Sequence, residues 1–155
     1  MKMKSLHKVQ VLPIMLKEAW DFFSSPGNLK TITPPYMGFN ITSAIENEKM
    51  YEGMIISYLV KPLLNIPIQW VTQISHVKEP YYFVDFQLKG PYKFWHHQHH
   101  FRQVDGGVEM KDILHYEVAG GIFGRLIENI LIEKRVEQIF NYREQKLQDL
   151  FPVNG

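Results

Sequence analysis

Val84–Phe101 reads VDFQLKGPYKFWHHQHHF, two alternating runs joined through Gly90–Pro91. Successive side chains of a strand point to opposite faces. Trp95, His97, His99 and Phe101 therefore share one face of the second run, and Phe94, His96, Gln98 and His100 share the other. The first set, bounded by two large apolar rings, suits an interior. In the preceding run Tyr81, Phe83, Asp85 and Gln87 fall in phase. A three-residue turn centred on Pro91 sets Asp85 opposite His97 and Gln87 opposite Trp95. A two-residue turn sets Asp85 opposite His96 instead, and so changes what the carboxylate meets.

The same period extends outward from this hairpin. Downstream, Asp105–Gly106–Gly107 is a strong hairpin turn between Tyr92–Val104 and Val108–Glu117. Upstream, strand-like runs at Phe39–Glu46, Gly53–Val60, Ile66–Val77 and Tyr81–Leu88 are separated by short turns at Asn47–Lys49, Lys61–Pro62 and Lys78–Pro80. No helix intervenes, which implies an antiparallel meander. Leu6–Leu12 adds one more alternating run, stopped by Pro13. Met15–Phe23 reads as a short helix, with Leu16, Ala19, Trp20 and Phe23 on one side, and Asn28–Ile32 as a second helical piece. From Ile122 to Phe151 there is no Pro and Gly124 is the single Gly, and apolar residues recur near a 3.6 period. A straight helix of that length spans about 45 Å. Its polar side is assigned Glu128, Glu133, Lys134, Glu137, Arg143 and Gln148. The apolar face of a sheet and the apolar stripe of a helix need each other for burial. The fold expected is α+β: a seven-stranded antiparallel curved sheet wrapped around a long C-terminal helix, with one or two short helices after the first strand, all in one domain over residues 1–155.

Composition narrows the function. The 155 residues are 45% hydrophobic and 21% charged, so a packed globular domain is expected rather than a disordered chain. Seventeen Lys and Arg against sixteen Asp and Glu leave a formal charge of +1, with no basic stripe. That balance argues against a nucleic-acid partner. The absence of cysteine removes disulfides, thiol catalysis and cysteine zinc sites. It fits a reducing compartment, and a cytoplasmic location is expected. No run approaches the ~20 apolar residues of a membrane span. Aromatic residues reach 14%, enough to fill a dense core or to line a cavity for an apolar ligand. No phosphate-binding glycine loop, nucleophile elbow or HExxH motif is present.

With its residues, this order resembles the START/polyketide-cyclase (SRPBCC) superfamily, the helix-grip fold that also includes the birch-pollen allergens. Phe22–Phe23, Pro26, Asn28–Leu29 and Ile32–Pro34 match its first helical region. Asp85, Gln87, Gly90–Tyr92, Trp95, His97, His99 and Phe101 match the core of a bacterial ligand-binding subgroup, with Phe86 where that subgroup places an acidic residue. The GGIFGRL and IFNYREQKL segments of the last helix fit as well. The resemblance covers almost the entire chain. It implies an internal cavity for a small, mostly apolar molecule, of lipid, aromatic or polyketide-like type. It also admits an enzyme, a cyclase, dehydratase or lyase. A protein-interaction module without a ligand is a third class.

The strand phases supply candidate residues. Inward polar positions are Asp85, Gln87, His97, His99, Asp112 and Tyr116. Wall positions are Phe39, Ile56, Tyr58, Trp70 and Phe83 on the upstream strands, Trp95, Met110 and Leu114 on the downstream ones, and Ile130 and Phe140 on the helix. Buried carboxylates need partners, and Asp85 and Asp112 beside His97 and His99 would supply Asp–His pairs. Such pairs serve as a network locking the sheet register, as a polar floor orienting a ligand, or as acid–base catalysts. His97 and His99, about 6.5–7 Å apart at Cα, are also spaced to share an ion with Asp85 or Asp112. The carboxylates explain the histidines equally well, and neither a metal nor a cofactor is expected. Met37, Met50 and Met54 lie near the expected mouth. Lys61–Pro67 (KPLLNIP) reads as a lid or as a homodimer contact, and Gly120–Gly121 with Gly124 as a hinge or a close approach.

Overall fold

Strand β1 (Lys4–Leu12) leads through Pro13 into helix α1 (Leu16–Phe23). Two 3₁₀ turns follow, at Pro26–Lys30 and Pro35–Met37. Then come β2 (Asn40–Ile41), β3 (Ile55–Val60), β4 (Ile68–Lys78), β5 (Tyr82–Lys89), β6 (Tyr92–Val104), β7 (Gly107–Val118) and helix α2 (Ile127–Leu150). This computed structural model describes residues 3–45, 48–62, 64–118 and 127–153, the side chains of 127–130 excepted. Gly120–Gly121, Gly124, Leu63, the Ile122 helix start and the Ile130 side chain lie outside the described residues. Among those described, no helix is long and apolar enough to cross a membrane.

The seven strands form one sheet in the order β1-β7-β6-β5-β4-β3-β2, with antiparallel neighbours throughout. The α+β architecture is the one expected. The β5–β6 register pairs Asp85 with His97, the alternative given by the longer turn. The β6–β7 register pairs His99 with Asp112. Register shifts between Val71 and Thr72, between Ile74 and His76, and between Tyr92 and Phe94 interrupt the ladders. Bulges of this kind bend strands and increase their twist. The sheet thereby curves around α2, which buries Val136, Phe140, Arg143 and Leu147. Lys8 Nζ and Gln10 Nε2 reach from β1 to Asn141 Oδ1 and the Glu144 carbonyl, each at 3.0 Å, fastening the helix to the edge strand.

Several boundaries differ from the sequence reading. Phe39–Glu46 was expected as a full strand, yet only Asn40–Ile41 pairs, because the Thr42 and Ser43 amides both turn to the Ser57 carbonyl (2.8 and 3.2 Å) and leave the ladder. The second helical piece is a 3₁₀ turn that begins at Pro26, whose fixed φ suits a first helical position. Arg143 was assigned to the polar side of the last helix and is instead 9% exposed. It follows Val136 and Phe140 and precedes Leu147 at spacings of four, three and four, which is the buried stripe itself.

Gly107 is required by a close approach. Its φ is +154°, and a Cβ there would lie 2.0 Å from the Leu12 carbonyl oxygen of β1. Gly107→Ala is expected to cost about 2 kcal/mol or more in urea unfolding. Gly106→Ala meets no neighbouring atom within 4 Å, has only its positive φ of 81° to oppose it, and is expected to cost about 1 kcal/mol.

Candidate functional site

Alternation on β5, β6 and β7 brings four titratable side chains to one spot on the concave face. His97 Nε2 lies 2.9 Å from Asp112 Oδ1, and His99 Nδ1 lies 3.1 Å from the same oxygen. On the other side His99 Nε2 lies 2.7 Å from Asp85 Oδ2, and His97 Nδ1 lies 3.6 Å from it. The two imidazoles thus sit between two carboxylates, with ring centroids 3.8 Å apart. Phe83 stacks on His99 at 4.3 Å, and Phe140 of α2 approaches His97 at 5.3 Å. These rings keep water from the pairs, which strengthens their electrostatics.

The protonation pattern follows from burial and from these partners. Burial pushes the Asp112 carboxyl up, but the His97 and His99 hydrogen bonds outweigh it and hold the group far below the usual carboxylate range. For Asp85 burial acts the same way, and the His99 hydrogen bond with the fields of His97, His99 and Arg143 leaves it lowered. Burial would lower His99, but Asp112 and Asp85 outweigh it and raise the imidazole. His97 is held below its ordinary value by burial first and by the His99 charge second. These directions favour two ionised carboxylates, the protonated form of His99 and the neutral form of His97. An ionised Asp112 only accepts, so His97 donates to it from Nε2, and its Nδ1 lies 3.6 Å from Asp85 Oδ2.

The cluster forms one part of the wall of a cavity between the sheet and α2. The cavity measures about 110 Å³ as room open to the centre of a water molecule. A single water needs only about 10–15 Å³ on that measure. Asp85, His97 and His99 border it, and Asp112 stands behind them. The rest is largely apolar. Phe39 lies 4.8 Å from Tyr58, Tyr58 stacks on Trp70 at 5.8 Å, and Trp70 meets Trp95 edge-on at 5.2 Å. Tyr58 also hydrogen-bonds Thr72, hydroxyl to hydroxyl, at 3.0 Å.

Of the wall positions read from sequence, Phe39, Ile56, Tyr58, Trp70, Phe83, Trp95 and Phe140 border the cavity. Met110 and Leu114 are buried in the core away from it, and Tyr116 packs against Tyr92 and Trp95. Gln87 does not border it either. Its amide donates to the Tyr92 carbonyl at 2.7 Å and accepts from the Tyr92 amide at 3.3 Å, which caps the β5–β6 turn. A Cβ on Gly90 would stand 2.4 Å from the Gln87 Oε1, so the turn sequence and Gln87 fit together. Met37 and Met50 border the cavity, whereas Met54 is core. At the β3–β4 loop Leu64 and Ile66 are exposed and face no cavity.

Sequence reasoning missed Phe22 and Phe23 of α1, Tyr92, Ile139 and, above all, Arg143, which all border the cavity. The helical stripe through Val136, Phe140 and Leu147 carried the signal for Arg143. Asp85, His97 and His99 each bring one potential ligand atom within 4.8 Å of the others, a donor set for a divalent ion should His99 release its proton.

No family model matches the chain, and no curated protein does. Solved structures do. The Zhui aromatase/cyclase from Streptomyces sp. R1128 superposes with a TM-score of 0.74 at 12% identity, over 96% of this chain and 93% of that one. Protein Ms6760 from Mycobacterium smegmatis gives 0.68 at 14% identity, over 100% and 98%. Ara h 8.0201 gives 0.61 at 11% identity, over 96% and 99%. Strand order, the long closing helix and these superpositions agree, and the chain shares the helix-grip fold of these three structures.

Proposed function

We propose that this protein binds a small, mostly apolar molecule in the cavity between α2 and the concave sheet, with the polar end of the molecule at Asp85, His97 and His99. The observation that carries this reading is the mixed wall: aromatic rings from β3, β4 and β6 line most of it, and Asp85, His97 and His99 gather as a polar cluster beside them. A pocket with an apolar body and a few convergent polar groups binds and orients a small ligand. Burying about 300 Å² of apolar ligand surface supplies roughly 7 kcal/mol before ordering losses.

The neutral fluorophore N-phenyl-1-naphthylamine tests it. Wild type is expected to bind one equivalent, with enhanced blue-shifted emission. Ile56→Trp puts an indole in the cavity, where Ile56 is 2% exposed, and is expected to lower the affinity at least about 100-fold. Overpacking costs about 1–3 kcal/mol, so the variant is checked for folding by near-ultraviolet circular dichroism. Equal binding by the folded variant would place the fluorophore elsewhere and end the cavity reading.

A second reading is acid–base catalysis, of cyclase, dehydratase or lyase type. It is favoured by one observation: His97 borders the cavity and is hydrogen-bonded through Nε2 to Asp112, while burial lowers its imidazole and so favours the neutral, basic form. His97→Gln would then remove turnover of a substrate while leaving its binding in place.

A further inference from the structure

Arg143 is a buried cation with no hydrogen-bonded or ion-paired partner among the described residues. It is 9% exposed and borders the cavity, and its Nε–H meets no acceptor among the described residues. No carboxylate lies within ion-pair distance of it among those residues. Asp85 and Asp112 are both held by imidazoles, and Glu144, next in sequence, faces Lys8 at 3.5 Å. What Arg143 does touch is the ring of Phe140, 5.2 Å from its Cζ. A guanidinium stays charged in a protein. A buried charge is costly unless it is paired. The chain therefore keeps a charged fork of donors beside a largely apolar cavity, with no anion at ion-pair distance among the described residues; the Asp85 carboxylate acts on it only through its field.

A second orphan points the same way. Trp70, which borders the cavity, has a buried Nε1–H with no acceptor among the described residues. In the two cavity-lining residues that carry an unpartnered buried atom, that atom is an N–H donor, so the missing groups are acceptors. The carboxylates of the polar cluster do not fill that need at hydrogen-bond distance, because Asp112 and Asp85 are engaged by His97 and His99.

Resting on the cavity-binding reading above, we propose that the ligand is an apolar acid: an aromatic-sized apolar body carrying one anionic oxygen group, a carboxylate or an acidic enol or phenol, that pairs with Arg143. The planar fork of arginine matches a carboxylate with two parallel hydrogen bonds. The apolar body then lies along Tyr58, Trp70 and Trp95, where Trp70 Nε1 meets a second oxygen such as a ketone or hydroxyl. Lysine at 143 would serve less well, because it is a point charge and lacks the fork.

Two probes of the same size separate this proposal from the cavity reading: 2-naphthoate and its neutral counterpart 2-naphthylmethanol, each titrated calorimetrically at neutral pH into the full chain. A hydrogen bond to a charged group contributes about 1.5–3 kcal/mol, so the acid is expected to bind at least about tenfold more tightly than the alcohol. Arg143→Met is expected to bring that ratio near one. Arg143→Lys is expected to retain part of the preference. Equal affinities of wild type for the two probes, or a preference that survives in Arg143→Met, would overturn the acid proposal and leave the cavity standing. Binding of neither probe would remove the cavity reading and the proposal together. Equal wild-type affinities count against the idea without any variant, and Arg143→Lys is a second test at the position should Arg143→Met fail to fold.

Discussion

Replacing Asp112 with Ala is expected to lower the unfolding free energy by about 3–5 kcal/mol, the range for removing one partner of a buried charge pair. The side chain of Asp112 is 3% exposed and lies within 3.1 Å of a nitrogen from each imidazole. Without it, a cationic His99 keeps only Asp85, and the His97 Nε2–H has no acceptor in an apolar wall. Urea unfolding at neutral pH measures the loss. The pH dependence separates this cause from a simple cavity. Asp112 and Asp85 have lowered values when folded, so their contributions are complete above the ordinary 3.8 and are lost as pH falls through the folded values. His97, also lowered, favours the fold above 6.5 and opposes it progressively as pH falls below that. His99 is raised, so its contribution is complete below 6.5 and is lost as pH rises through the folded value. Wild type should therefore show a steep acid limb below about pH 4, where both carboxylates act, and a shallow alkaline decline. Asp112→Ala should flatten both. A variant that loses stability equally at every pH would show that Asp112 acts by packing alone.

The other large effect is expected at Trp20. It is 1% exposed on α1 and meets Phe83 and Phe101 edge-on, at centroid distances of 6.0 and 6.1 Å. Those partners stand on β5 and β6, so one indole fastens the short helix to the centre of the sheet. Trp20→Ala is expected to cost about 3–5 kcal/mol. By the usual scaling, that lowers Tm by about 10 °C or more for a chain of this size. Trp20→Phe keeps a ring in place and is expected to cost less. The consequence reaches the cavity, because α1 carries Phe22 and Phe23 into its wall. Loosening the helix should raise amide exchange over Leu16–Phe23 and weaken binding of N-phenyl-1-naphthylamine, whereas β7 should keep its protection. Unchanged exchange in α1 would show that its turns are held by something other than Trp20.

The two predictions concern parts of the chain that differ in how readily they are read. The Asp–His cluster rests on strand alternation, which places every second side chain on one face whatever the rest of the fold does. Val84–Phe101 therefore announced His97, His99 and Asp85 together. The turn length that sets Asp85 opposite His97 rather than His96 was left open, because the choice depends on how Gly90, Pro91 and the Gln87 amide close the turn. Gln87 illustrates the same limit. Its phase is inward, yet the nearest unsatisfied groups are the Tyr92 backbone atoms, and the amide goes to them. Phe22, Phe23 and Tyr92 were not singled out because their part in the cavity depends on where α1 and the turn come to lie against the sheet.

Hydrophobic period, turn residues and the uninterrupted last helix were sufficient to determine the architecture: period-2 runs with short turns can bury their apolar face only by curving around the one long amphipathic helix that follows. Which polar groups would face one another, and which would be left without a partner, was decided by the tertiary structure. Bulges in β4 and at the start of β6 shift the registers. The packing of α2 against the sheet then leaves Arg143, already on the buried stripe, beside Phe140 and without an ion pair among the described residues. Those relations join residues far apart in the chain, and their energies depend on ångström-scale separations between elements that local periodicity does not encode.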